Sequence, residues 1–474
     1  MTRITRTLLI LACAAAAGCS DGSNGPVDPP VTPPAPPAVL VPNGPVGATV
    51  GTALSYDATR GGTVFSDPAG GGLTYAVTFA GSANGLSASG GTVSGTPAAT
   101  GVVSATITAT DSKGRTASNQ FSIIAFAAGL PTPTLPALSY SYTDALPAHF
   151  LTLTDGLSVA GTDNTPAANP TTNAGATLGR VLFYDRRLSA NDGISCGSCH
   201  VQALGFGDPR QRSVGFAGGL TPRHSAALVN ARFYQRGKFF WDERAATLEA
   251  QVVTPIQDAA EMGMPLDVLV QKLTVTPYYG PLFNQAFGSP TVTSERIAQA
   301  LAQYVRSLVS ADSRYDRAIA AGSPTNLVGF TAEEKLGEQL FREQKCTTCH
   351  VTAAQVSDLP HNVGLDPVDT DPGVIGLGLG GRFKSPSLRN VAVRGRFMHD
   401  GRFTTLAQVI DFYDTGVKAN PGLSSFLKNP DGTPRLMNLT PAEKAAMEAF
   451  LRTLTDSAFL TAPKFSNPFV APAP

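Results

Sequence analysis

Two short clusters of thiols and imidazole dominate the chemistry available to this chain: Cys196-Gly-Ser-Cys199-His200 and Cys346-Thr-Thr-Cys349-His350. A lone C-x-x-C suits a redox dithiol or half of a zinc site. Here the two pairs lie far apart in the chain, outside zinc-knuckle spacing, and each is followed at once by His. That order suits two thioethers gripping a porphyrin edge while the adjacent imidazole reaches its iron. Two covalently bound c-type haems are therefore expected, attached at Cys196, Cys199, Cys346 and Cys349, with His200 and His350 as axial ligands. Each iron has a second axial position, and whatever fills it decides between electron transfer and chemistry at an open site.

The rest of the composition narrows the setting. Formal net charge is zero and only 15% of the 474 residues are charged, so no basic footprint points to nucleic acid. The 48 Gly and 37 Pro indicate long loops and linkers. Residues 1–19 read as an export signal, with Arg3 and Arg6 before an apolar run too short to span a bilayer. The signal ends in Ala16-Ala17-Gly18-Cys19, which resembles a bacterial lipobox with Cys19 as the lipidated residue. Ser20 beside it resembles outer-membrane lipoproteins, so a periplasmic protein anchored by its N-terminus is expected, with plain cleavage and release as the alternative. Of the six cysteines, Cys13 lies in the signal and Cys19 at the lipid site, so the two C-x-x-C-H motifs leave none for a structural disulfide.

The elements that must position these residues fall into blocks. Residues 20–45 are Pro-rich and expected as an extended spacer. Residues 46–126 alternate at period two ("LTYAVTF", "SATITATD") between turn signals, as a β-sandwich requires. Residues 127–170 form a second linker and lead-in. Helical periodicity then appears at "ERIAQALAQYVRSLVS", "TAEEKLGEQLFREQ" and "TPAEKAAMEAFLRTL", with Thr331 and Thr440 as N-caps. One haem domain is expected over 171–327, a second over 328–462, and a loosely ordered tail over 463–474.

Two resemblances carry the reading further. The stretch "FSDPAGGGLTYAVT…GGTVSGTPAATG…ITATDSKGRTAS" resembles bacterial immunoglobulin-like (cadherin- or dystroglycan-like) modules. From about Ala174 to Leu454 the chain resembles the di-haem cytochrome c peroxidases and their MauG-type relatives. The resemblance rests on "LGRVLFYDRRLSANDGISCGSCHVQALGFGD", "FFWDERAATLEAQVVTPIQDAAEMGM", "GEQLFREQKCTTCH" and "FKSPSLRNVAVRGRFMHDGRFTTLAQVIDFYD". The fold class it implies is multidomain: an Ig-like β-sandwich followed by two mainly α cytochrome c-like haem domains.

The same resemblance assigns roles. Many family members close the N-terminal, peroxide-reducing haem with a His in a Ser-Ile/Val-Gly-His-Gly loop. This chain reads Ser213-Val214-Gly215-Phe216-Ala217. Phe216 cannot ligate iron, so an open haem is expected, with a displaced loop and His224 as the alternative cap. Glu261 matches the family's acid–base glutamate, Gln251 a polar neighbour that orients peroxide or is purely structural, and Trp241 the aromatic between the haems. Arg223 matches an element that pairs a haem propionate. The family's calcium-ligating Asn is replaced by His224, which puts Ca²⁺ in doubt. On the second haem, Tyr413 stands where MauG-type enzymes place an axial Tyr and the peroxidases an axial Met; Met398 is the alternative ligand.

The implied function is a di-haem peroxidase that reduces hydrogen peroxide to water with electrons from a small cytochrome c or cupredoxin, with a homodimer as the implied assembly. The alternatives are a MauG-like enzyme that oxidises a protein side chain and a non-catalytic di-haem electron carrier. Open coordination with Glu261 argues against the carrier.

Overall fold

The period-two segments become strands whose inward residues are buried and whose outward residues face water. The computed structural model describes residues 33–153, 157–321, 327–356, 359–378 and 380–469. The export signal and Cys19 lie outside the described residues. Nine strands form the N-terminal unit: β1 (Ala38–Val39), β2 (Val46–Thr49), β3 (Leu54–Asp57), β4 (Phe65–Ser66), β5 (Thr74–Ala80), β6 (Leu86–Ser89), β7 (Thr92–Gly95), β8 (Gly101–Thr110) and β9 (Thr116–Phe126). A four-stranded sheet of order β2-β9-β8-β5 faces a three-stranded sheet of order β3-β7-β6. Between them Val93, Val103, Ala105, Ile107, Phe121 and Ile123 make a dry core, as alternation along packed sheets demands.

The unit begins earlier than the Pro-rich composition suggested. β1 pairs antiparallel with β4, inside the stretch expected as spacer. Asn43 is buried: its backbone N–H donates to Asn119 Oδ1 (2.7 Å), its Nδ2 to the Ala58 carbonyl (2.9 Å), and its Oδ1 accepts from Tyr56 (2.6 Å). A buried amide that both donates and accepts ties the chain down where composition alone indicated solvated coil.

Two helical units follow, and each is built around the same pair. Helix Asn173–Tyr184 crosses Ser294–Ser307, and helix Ala332–Glu343 crosses Pro441–Arg452. Glycine lets each pair close: a Cβ on Gly179 would collide with the Ala300 carbonyl and Tyr304, and one on Gly337 with the Ala446 carbonyl and Phe450. The matching sequences "LGRVLFYD" and "LGEQLFRE" therefore mark an internal duplication. The expected caps are present as full capping boxes, Thr331 with Glu334 and Thr440 with Glu443, each satisfying two orphan N–H groups.

The two units are bolted together near their middles. Asn230 and Asn390, both in the left-handed region, clasp Ser310 from either side. The C-terminal stretch is docked as far as residue 469, contrary to the expectation of a loose tail over 463–474, of which 470–474 lie outside the described residues. Phe459 and Phe465 enter the core of the first helical unit, and the Phe465 carbonyl accepts from Tyr184 (2.8 Å) and Tyr304 (2.9 Å). Burying two aromatic rings stabilises this docking by several kcal/mol, on the order of 2–3 each. Among the described residues no helix is long and apolar enough to cross a membrane.

Candidate haem-binding sites

Each C-x-x-C-H motif follows the first helix of its pair and adopts one backbone form. Cys196–Ser198 and Cys346–Thr348 are short 3-10 turns. The His200 N–H returns to the Cys196 carbonyl (3.0 Å), and the His350 N–H to that of Cys346 (2.9 Å). Thiols and imidazole are thus presented from a single turn. None of the four thiols is in a disulfide, and burial pushes Cys196 and Cys346 up to about 12. Such thiols are poor thiolates, which argues against a redox dithiol. Among the described residues no three His, Cys, Asp or Glu side chains gather as a metal site.

The surroundings suit haem. His200 Nδ1 faces the Phe206 carbonyl at 3.0 Å, which leaves Nε2 as the coordinating atom. Burial lowers the pKa of His200, and lowers that of His350 to about 4, so both rings stay neutral and able to ligate. Beside the second motif lies a mainly apolar cavity of about 220 Å³ that Cys346, Cys349, His350, Met398 and Tyr413 help to line. A flat apolar macrocycle needs such a void, and a well-packed domain does not otherwise keep one. The residues present therefore fit the expected group.

Tyr413 and Met398 both reach this cavity. Tyr413 sits in a widened π-helical turn, Phe412–Gly416, an irregularity that redirects a side chain from the helix face. Burial, then the Cys349 and Cys346 thiols, raises its pKa well above the usual phenol range. Met398 holds a left-handed backbone (φ 69°) at the cavity wall. Trp241 also lines this cavity, together with Gly207 and Asp208, which follow His200 in the sequence. Its Nε1 donates to the His224 carbonyl (2.6 Å), and its own carbonyl accepts from the Lys384 N–H (2.8 Å).

Near the first motif stand Glu261 and Phe216. The Phe216 N–H donates to the Glu261 carbonyl (2.8 Å), its carbonyl accepts from Asn191 (2.9 Å), and its ring packs on Gly263. Gly215 lies so tightly on Ala260 and Glu261 that a Cβ there would collide with their carbonyls. The 213–219 loop is therefore clamped to the Glu261 loop. Glu261 is close enough to raise the pKa of both Cys196 and Cys199. Burial first, then Asp258, lifts its own pKa to about 7, against a smaller pull from Arg244.

Other expected residues are placed differently. The Arg223 guanidinium is engaged by carboxylates, gripping Asp371 through Nε and Nη2 (2.7 Å each) and reaching Asp242 through Nη1. It ties the two helical units together. His224 lines the second motif's cavity with Nδ1 turned to the Arg210 carbonyl (3.1 Å), and it is near enough to His200 to lower that ring's pKa. Gln251 is half-buried on helix Leu248–Gln257, and no contact ties its amide to Glu261.

One buried cluster had no sequence signal. The Tyr234 hydroxyl donates to Glu243, Arg236 clamps the same carboxylate through two N–H groups (2.8 and 2.9 Å), and Lys384 Nζ stands 4.7 Å from the Tyr234 ring centroid. Only chain folding brings Lys384 to the other three.

Known proteins resemble this chain in both of its parts. The profile of the family described as di-haem cytochrome c peroxidase matches residues 173–323, and an Ig-domain profile matches 36–126. The chain is 35% identical over 309 residues to the methylamine utilization protein MauG of Methylorubrum extorquens, covering 63% of this chain and 83% of that one. It is 30% identical over 244 residues to the cytochrome c551 peroxidase of Nitrosomonas europaea, covering 50% and 71%. A crystal structure of a MauG-like protein associated with microbial copper homeostasis superposes with a TM-score of 0.57 at 30% identity, over 65% of this chain and 97% of that one.

Proposed function

The chain belongs to the di-haem cytochrome c peroxidase and MauG family, and from that premise we propose that it reduces hydrogen peroxide to water with electrons from a small cytochrome c or cupredoxin. Its two c-type haems, when bound, supply the iron that holds peroxide and the store of electrons that reduces it. The observation that carries this reading is Glu261, a half-buried carboxyl near the first motif, whose backbone is clamped to the Phe216 loop and whose pKa burial raises to about 7.

Cleaving the peroxide bond needs a proton taken from one oxygen and given to the other. A carboxyl with a pKa near the working pH can do both, and exchange costs it little in either direction. Phe216 offers no ligand atom, and its loop is pinned against the Glu261 loop. Trp241, fixed by its hydrogen bond to the His224 carbonyl, offers a π-system between the two halves. His200 and His350 would each hold an iron from one side. Tyr413, held in the second cavity, would close the second haem, with Met398 as the other candidate. A phenolate ligand would favour oxidised iron and lower the potential of that half.

Tyr413 and Phe216 also favour a second reading, a MauG-like oxidation of a protein side chain. Export and lipidation at Cys19 place either reaction outside the cytoplasm. Steady-state peroxide consumption with reduced small cytochromes or cupredoxins tests the proposal. Sustained donor oxidation at two electrons per peroxide supports it. Peroxide consumption that oxidises no donor and instead modifies a co-purifying protein would favour the second reading.

A further inference from the structure

The buried cluster around Tyr234 is used by nothing above. Tyr234 is fully buried, Glu243 is 6% exposed, and the phenol donates its only proton straight to the carboxylate. Arg236 donates two further hydrogen bonds to that carboxylate, one to each oxygen, so its orientation is fixed. The cluster lies where the two helical units meet: Tyr234 packs with Phe150 and Phe233 against Ala354 and Val356, which follow His350. Lys384 joins it to Trp241, since its N–H binds the Trp241 carbonyl while its Nζ covers the Tyr234 ring and lies 5.9 Å from that of Phe239.

Oxidising a phenol by one electron makes its proton strongly acidic, so a buried tyrosine gives up an electron only where a base can take the proton at once. Most buried tyrosines here lack that arrangement between the halves. Tyr184 and Tyr304 donate to a backbone carbonyl, a very weak base. Tyr279 meets Asp185, but inside the first unit's core. Tyr234 alone among these combines a carboxylate partner with a place at the junction and a link to Trp241.

We infer that Tyr234 is a one-electron relay between the two halves, working with Glu243 as its proton acceptor. This rests on the peroxide chemistry proposed above, which supplies the oxidant. Peroxide, reduced to water, leaves two oxidising equivalents in the protein. Tyr234 fills one of them by losing an electron, and its phenolic proton moves to Glu243. An electron from the donor then returns to the tyrosyl radical, and Glu243 gives the proton back, so the cycle balances. Neutralising Glu243 leaves Arg236 and Lys384 without their counter-charge, an unfavourable state in a buried site. That imbalance pushes the proton back, which makes Tyr234 a relay rather than a sink.

The test uses the ferric di-haem protein, mixed with one equivalent of hydrogen peroxide, freeze-quenched and read by electron paramagnetic resonance. The expected result is a tyrosyl signal whose hyperfine structure collapses when the protein carries ring-deuterated tyrosine. Tyr234→Phe should remove the signal, and Glu243→Gln, which keeps the phenol but cannot accept its proton, should remove it too. Both variants should keep the two resting haem absorption spectra, which reports intact folding. A tyrosyl signal that survives Tyr234→Phe, or its absence in a wild-type protein whose haem spectrum does respond to peroxide, would overturn the relay alone. Signal retained in Glu243→Gln would overturn the proton-acceptor assignment. A haem spectrum indifferent to peroxide would overturn the functional reading and the relay with it.

Discussion

Replacing Glu261 by Gln keeps the shape of the side chain and removes its ability to hold a proton on demand. Burial lifts the wild-type carboxyl from 4.5 to about 7. At pH 5 only about 1% of it is ionised, at pH 7 about half, because each pH unit below the pKa costs a factor of ten. The second-order reaction of the ferric protein with peroxide should therefore climb about tenfold per unit between pH 5 and 6 and level off above pH 7. Glu261→Gln should lower that rate by roughly two to four orders of magnitude at pH 8 and flatten the profile. The same shift is a stability statement. The folded pKa is raised, so the group favours folding fully below pH 4.5, and this contribution disappears as pH rises through 7. At 1.36 kcal/mol per pH unit the difference is at most about 3 kcal/mol. Wild-type stability should thus decline relative to Glu261→Gln across that window. Stopped-flow mixing with peroxide and urea unfolding, each from pH 5 to 8, read both effects. A variant rate within a factor of about three of wild type, or a wild-type profile with no rise, would remove Glu261 from the acid–base role.

Three further outcomes are expected. Gly337→Ala forces a methyl group into the Ala446 carbonyl and should cost about 1–3 kcal/mol in thermal unfolding, as overpacking does. Phe465→Ala removes a ring that is 2% exposed and should cost about 3–5 kcal/mol; a change under about 0.5 kcal/mol would mean the C-terminal stretch is not docked. Tyr413→Phe should change the ferric absorption spectrum of the second haem alone, whereas Met398→Leu should leave it unchanged; the reverse pattern would assign the ligand to Met398.

Local signals were legible and distant ones were not. The two C-x-x-C-H turns, the alternating strands β5 and β8, and the capping boxes at Thr331 and Thr440 are all decided within a few residues, and the folded chain keeps them where the sequence places them. The Asn43 region reads as spacer because its stabilising partners, Ala58 and Asn119, stand 15 and 76 residues away. The C-terminal stretch looks loose because Phe465 is held by Tyr184 and Tyr304, 281 and 161 residues distant. Arg223 finds Asp371 across 148 residues, and no local pattern announces a pair of that kind. Glu261 shows the same limit from the other side. A Glu before Met-Gly-Met is an ordinary loop charge until the Phe216 loop closes over its backbone and burial shifts its pKa. The duplication of the helical units is written in "LGRVLFYD" and "LGEQLFRE", but its meaning, a glycine at each helix crossing, emerges only when the helices are seen in contact.

The central claim is that the first haem is open because Phe216 stands, clamped, where a ligand could have closed it. Electron paramagnetic resonance of the untreated, fully ferric di-haem protein tests it most directly. The expected spectrum contains one high-spin and one low-spin haem in equal amounts, with the high-spin signal lost on adding cyanide and converted to low-spin by Phe216→His. Two low-spin haems in the untreated protein, unresponsive to cyanide until one is reduced, would contradict it.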